Sequence, residues 1–177
     1  MSPNRRNLFG ILFILLIIVA LPVVLFLTKK QQDIRPRALS GNVNLLLSSS
    51  STNSAVGLVT DVVVSASLTD PNVRMSGADI TILYDKNRLS VANIIPAVTG
   101  SLPNGVFTDA PYVSSGGSFD DTYNFLRFVV VARKPDAQLP SGTVQLSRIS
   151  FASIGEGAAS IKFPDDNSLL QVVGTSQ

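Results

Sequence analysis

A chain of 177 residues has room for one domain of ordinary size and a short additional segment. It contains no cysteine and no histidine, which removes disulfides, thiolate chemistry, imidazole bases and nearly every soft-metal site. Six of the fourteen basic residues lie in the first 37 positions beside a single acid, Asp33, so from Ala38 onward the chain is mildly acidic and lacks the basic patch that nucleic-acid binding needs.

Residues 1–7 form a short leading segment that carries Arg5 and Arg6. Leu8 to Leu27 follows as twenty residues without a charge or strongly polar group. At a helical rise of about 1.5 Å per residue this run covers roughly 30 Å, the thickness of a bilayer's hydrocarbon core, and predicts a transmembrane helix. Pro22 is tolerated in lipid and at most kinks it. A cleaved signal peptide or a buried core helix is the alternative, but a signal peptide carries a shorter apolar region and small residues at its cleavage site. Here TKKQQDIRPRA follows instead. Basic residues flank the run on both sides, Arg5 and Arg6 before it and Lys29, Lys30, Arg35 and Arg37 after it, so charge alone points the larger cluster inward. Residues 28–41, polar and containing Pro36, read as a juxtamembrane linker.

From residue 42 to 174 the apolar period is two, the signature of strands. Val62, Val64, Ala66 and Leu68 share one face of a strand over Asp61 to Leu68, with Val63, Ser65 and Ser67 on the other. Ala78, Ile80, Ile82 and Tyr84 point one way in the next, and Asp79, Thr81 and Leu83 the other. Leu126, Phe128, Val130 and Ala132 make a third such face; Val144 to Phe151 and Ala159 to Phe163 supply two more strands. Leu45 to Leu47, Ser90 to Ile95 and Leu169 to Val173 are shorter candidates. Turn signals separate them at Asp70-Pro71-Asn72, Pro103-Asn104-Gly105, Gly116-Gly117, Pro140-Ser141-Gly142 and Gly155-Glu156-Gly157, and the polar run Ser48 to Ser54 reads as a loop. The expected fold is all-β: a two-sheet sandwich or jelly roll of eight or nine strands, preceded by one transmembrane helix.

The segment GADITILYDKNRLSV, Gly77 to Val91, and the later LSRISFASIGEGAASIKF, Leu146 to Phe163, resemble the cohesin domain family, and the resemblance extends over nearly everything from Asn42 to Val173. It implies a non-catalytic module, displayed outside the cell, that binds dockerin-type partners through the outward face of one sheet. In dockerin-binding members an Asn and an Asp two residues apart contact the partner; here the Asp is Asp79 and the Asn position is Gly77. Asp79, Thr81 and Leu83 are the candidate partner-facing row, against the plainer reading of a solvated strand face. Tyr84 and Asp85 read as structural, a buried ring and a carboxylate capping a turn.

Glycan binding is the second reading, since related sandwiches bind polysaccharide through exposed rings. Tyr112, Phe119 and Tyr123 lie in loop-like sequence and would serve, although the chain has no Trp. Catalysis finds little support. Asp120-Asp121 and Asp165-Asp166 are adjacent pairs in turns, and no GxSxG, P-loop, HExxH or dinucleotide motif is present. No cofactor is implied. Asp165, Asp166 and Asn167 offer oxygen ligands without the twelve-residue loop of an EF-hand, which leaves room for one structural calcium and no more.

Overall fold

The computed structural model describes residues 37–38, 43–51 and 55–176. The predicted span Leu8 to Leu27 lies outside them, and among the described residues no helix is long and apolar enough to cross a membrane.

Among the described residues ten strands follow one another: β1 Arg37–Ala38, β2 Val43–Ser49, β3 Val59–Leu68, β4 Val73–Asp85, β5 Leu89–Pro96, β6 Asp109–Ser118, β7 Tyr123–Val131, β8 Thr143–Ser153, β9 Ile161–Lys162 and β10 Leu170–Ser176. They build two antiparallel sheets. One runs β1-β10-β4-β7-β6, with β9 also paired to β4; the other runs β2-β3-β8-β5. Strand β1 pairs with β10 at Arg37 and Ala38, within the segment expected as linker.

The alternating faces read from sequence meet between the sheets. Val62, Val64 and Ala66 of β3 and Leu146, Ile149 and Phe151 of β8 pack in one buried cluster with Ile80 and Ile82 of β4 and Leu126, Phe128 and Val130 of β7. Burying apolar faces of two sheets against each other is what the period-two pattern permits.

Two features depart from the sequence expectation. Strand β6 falls in sequence that reads as loop-like, with Gly116-Gly117 as a turn signal; it is an edge strand, paired to β7 on one side only, where Pro111 costs no ladder bond. Its two glycines make room on opposite faces. A Cβ on Gly116 would sit 3.2 Å from the Tyr84 hydroxyl, and one on Gly117 only 2.6 Å from the Phe125 ring. The second departure is in β4, whose inward set shifts parity between Met75 and Ala78. The register slips between Val173 and Gly174, so Ser76 is one residue more than β10 can match, a β-bulge.

Candidate functional site

The outward face of the six-stranded sheet is built by register. Asp79 lies opposite Val129 and Gln171, Thr81 opposite Arg127, and Leu83 opposite Phe125 and Lys162. Across β7, Tyr112 of β6 meets Val129, Ser114 meets Arg127, and Gly117 meets Phe125. Residues directly opposite in a sheet share a face, so these side chains form one surface.

Its centre is a fixed charge pair. Arg127 donates from Nε to Asp79 Oδ1 at 2.8 Å and from Nη2 to Oδ2 at 2.6 Å. The fork geometry of guanidinium on carboxylate holds both side chains in one orientation. The Asp79 carboxylate raises the already high pKa of Arg127, so this group is cationic at every physiological pH. The guanidinium also lies 5.5 Å from the centre of the Tyr112 ring, and Lys162 Nζ lies 4.8 Å from that of Tyr123. The pair is open to solvent, with Arg127 46% and Asp79 27% exposed, so its contribution is to orientation more than to stability.

This corrects the predicted partner-facing row. Asp79 reaches the surface, but Thr81 is 4% and Leu83 2% exposed. Thr81 is short and lies opposite Arg127, whose long side chain reaches diagonally to Asp79, while Leu83 has the larger Phe125 of β7 opposite it on one side and Lys162 of β9 on the other. Alternation assigns a face but not the height of the neighbours that crowd it. Conversely, Arg127, Phe125 and Lys162 were not singled out from the sequence. Arg127 and Phe125 alternate with the buried Leu126 and Phe128, a visible signal, yet only the strand order places them beside Asp79.

Position 77 needs glycine. A Cβ built there would lie 2.8 Å from the Val130 carbonyl oxygen, backbone that belongs to the β4–β7 ladder. An asparagine at this position does not fit the bulged strand.

The candidate rings separate. Tyr112 stands on β6 and is half-exposed, Phe119 lies just past the end of β6 and is likewise half-exposed, and Tyr123 opens β7 with partial burial. Two of the three are thus in strands, not loops, and each tyrosine is covered on one side by a cation. The acids in turns act as caps. Asp120 Oδ1 accepts from the main-chain N–H of Thr122 and Tyr123, and those bonds, Tyr123's first, hold its carboxyl below the ordinary range, with Lys86 and Lys162 adding to the effect. Asp166 accepts from the Ser168 N–H at 2.8 Å, which likewise lowers its pKa. Among the described residues no three acidic, histidine or cysteine side chains gather as a metal site would require. The Ser150 hydroxyl donates to Asp61 at 2.6 Å, and the chain has no histidine to activate it.

Tyr84 and Asp85 are structural, as expected. The Tyr84 ring is buried, 5.5 Å from Phe151. Asp85 accepts from the Asn87 N–H and from Arg88 Nη1, while Arg88 also donates to the carbonyls of Glu156 and Ala158, lacing two turns together.

No protein-family model matches the chain, and no curated protein does. Solved structures do. One partner in a CaDoc0917–CaCohA2 complex superposes with a TM-score of 0.50 at 14% identity, over 73% of this chain and 86% of that one. A type II cohesin domain from the cellulosome of Acetivibrio cellulolyticus gives 0.48 at 16% identity, over 72% and 77%. A type II cohesin–X–dockerin complex from the same organism gives 0.47 at 14%, over 72% and 80%. The fold is cohesin-like.

Proposed function

We propose that this chain is a non-catalytic binding module, held to a membrane by Leu8 to Leu27 with its sandwich outside the cell, and that it takes a dockerin-type protein partner on the outward face of the six-stranded sheet. The observation that carries the reading is the Asp79–Arg127–Tyr112 set at the centre of that face. An arginine fixed by a bidentate carboxylate and a ring loses little further freedom when a partner docks on it, and Arg and Tyr are the side chains on which interfaces most often concentrate their energy. Its fold neighbour CaCohA2 is one half of a two-protein complex, which supports the same reading.

The test is calorimetric titration of the full chain in detergent micelles with purified dockerin modules. Saturable one-to-one binding is expected, weakened about tenfold or more, roughly 1.4 kcal/mol, by Arg127→Ala. Asp79→Asn is expected to weaken it less, because the arginine is released but still present. Absence of binding to any dockerin, or binding indifferent to both changes, sinks the proposal; signal on a polysaccharide array instead would turn the assignment to glycan.

Placement outside the cell is tested separately, and the absence of native cysteine makes this simple. Ala137→Cys, in the exposed turn Asp136–Gln138, is expected to react with a membrane-impermeant maleimide on intact cells. Labelling only after lysis would reverse the orientation.

A further inference from the structure

An open sheet ends in strands whose outer main-chain N–H and C=O groups have no ladder partner, and such an edge pairs with a foreign strand unless something blunts it. Most edges of this sandwich are blunted. Strands β1 and β9 are two residues long and bear Arg37 and Lys162. Strand β6 holds Pro111 and two register shifts, and β5 has a shift between Val91 and Asn93 and ends on Pro96. Strand β2, VNLLLSS, has no such feature. Its seven residues pair with β3 without a shift, and it contains neither charge nor proline. Among the described residues nothing pairs with its other edge. Leu45 and Leu47 point to the core yet are only half-buried, and Leu46, on the outward side, is 49% exposed.

The order of residues along β2 selects the occupant. When two copies of the strand are set antiparallel about Leu46, Leu46 lies opposite itself, Leu45 opposite Leu47, and Asn44 opposite Ser48. Apolar side chains meet at the centre and polar ones beside it; only the terminal Val43–Ser49 pairs mix the two. A one-residue slip would set the inward residues of one copy against the outward residues of the other. A slip of two would set Leu46 against Asn44 or Ser48. Charge agrees with symmetry, because like charges directly opposite repel, and neither β2 nor the adjoining row Val63, Ser65 and Ser67 of β3 carries one. A charged partner strand would find no countercharge on β2. Seven residues offer less than the roughly 800 Å² per partner of a stable interface, so the pairing is weak and reversible.

We infer that β2 is a self-association edge, on which two copies of this chain pair antiparallel about Leu46 and join their four-stranded sheets into one of eight strands. It lies on the sheet opposite the Arg127 face and stands without the reading of that face.

The test is disulfide trapping of the full chain in detergent micelles, which the absence of native cysteine allows. Residues directly opposite lie about 5 Å apart between Cα atoms, within the roughly 4.4–6.8 Å that a disulfide spans. Leu46→Cys is expected to give a covalent dimer on mild oxidation. Asn44→Cys and Ser48→Cys each lie about 13 Å from their own counterparts, so they should trap when mixed and about tenfold less when alone. Val113→Cys, similarly exposed but on the blunted edge strand β6, sets the collisional background. Adding Leu46→Lys to both members of the mixed pair should lower trapping about tenfold, since two cations would then face each other. An unchanged melting temperature shows that this variant is folded, and Leu46→Glu replaces it if it is not. Three results would overturn the assignment: Leu46→Cys trapping no faster than Val113→Cys, Asn44→Cys or Ser48→Cys trapping alone as readily as mixed, or mixed trapping indifferent to the charge at position 46.

Discussion

Phe128→Ala is expected to lower the stability of the sandwich by about 3–5 kcal/mol, the cost of emptying a large, fully enclosed aromatic site. Phe128 has no exposed surface, lies opposite Ile80 of β4 and Val113 of β6, and sits at the middle of the strand that carries Arg127 and Val129 on its other face. The removed ring is surrounded by strands from both sheets that cannot collapse toward it without breaking their ladders, so little of the loss is recovered by relaxation. Urea denaturation followed by far-ultraviolet circular dichroism reads the effect as a lower midpoint at unchanged slope. Arg127→Ala, on the exposed face of the same strand, should change stability by less than about 1 kcal/mol. Equal effects of the two changes would mean that the inward and outward faces of β7 have been misassigned.

The second large effect is expected at Gly77. Gly77→Asn would supply the asparagine of the Asn–Asp pair that the resemblance to dockerin-binding cohesins implies, and a reading of sequence alone would predict a gain of binding. The structure predicts the opposite. The new Cβ falls 2.8 Å from the Val130 carbonyl oxygen, closer than real Cβ contacts come, and the obstacle is main chain that cannot swing away. Forcing the strands apart is an overpacking strain of about 1–3 kcal/mol, and it disturbs the ladder two residues from Asp79. The variant should unfold at lower urea and bind dockerin modules no better than the parent. Tighter binding at undiminished stability would show that the bulge at Ser76 can move to admit a side chain.

The Gly77 prediction bears on how this face departs from the pattern of the family that the sequence resembles. Asp79 is the acid of the pair, but here it is engaged by Arg127 on the adjacent strand. A partner docking as proposed would therefore meet a carboxylate already satisfied on both oxygens and a guanidinium whose Nη1 is turned to neither of them. The surface presented is that of an arginine set against a tyrosine, not of a free acid.

Much of the architecture was legible in the residues. Alternation over Val62 to Leu68, Ala78 to Tyr84 and Leu126 to Val130 assigned the inward sets correctly, because a side chain's face in a strand is decided by its own position and hardly by anything distant. The Tyr84–Asp85 pair was legible for a related reason, since an aspartate capping the N–H two residues on is a local interaction. Strand β6 was not. Proline and paired glycine are turn signals in isolation, and they become admissible only because β6 has an open edge and because Tyr84 and Phe125 occupy the space the glycines leave.

By itself, then, the sequence determined the all-β class, the inward faces, the turn at Asp85 and the absence of cysteine and histidine chemistry, all of which depend on a residue's identity or its near neighbours. Tertiary structure alone decided which outward side chains reach solvent and which meet. Asp79 and Arg127 are 48 positions apart and are joined by strand order and register. Thr81 and Leu83 disappear beneath neighbours contributed by β7 and β9, and Gly77 is held to glycine by a carbonyl on β7. Such facts arise from pairing across the sheet, where the energy of a side chain depends on what the fold has set beside it.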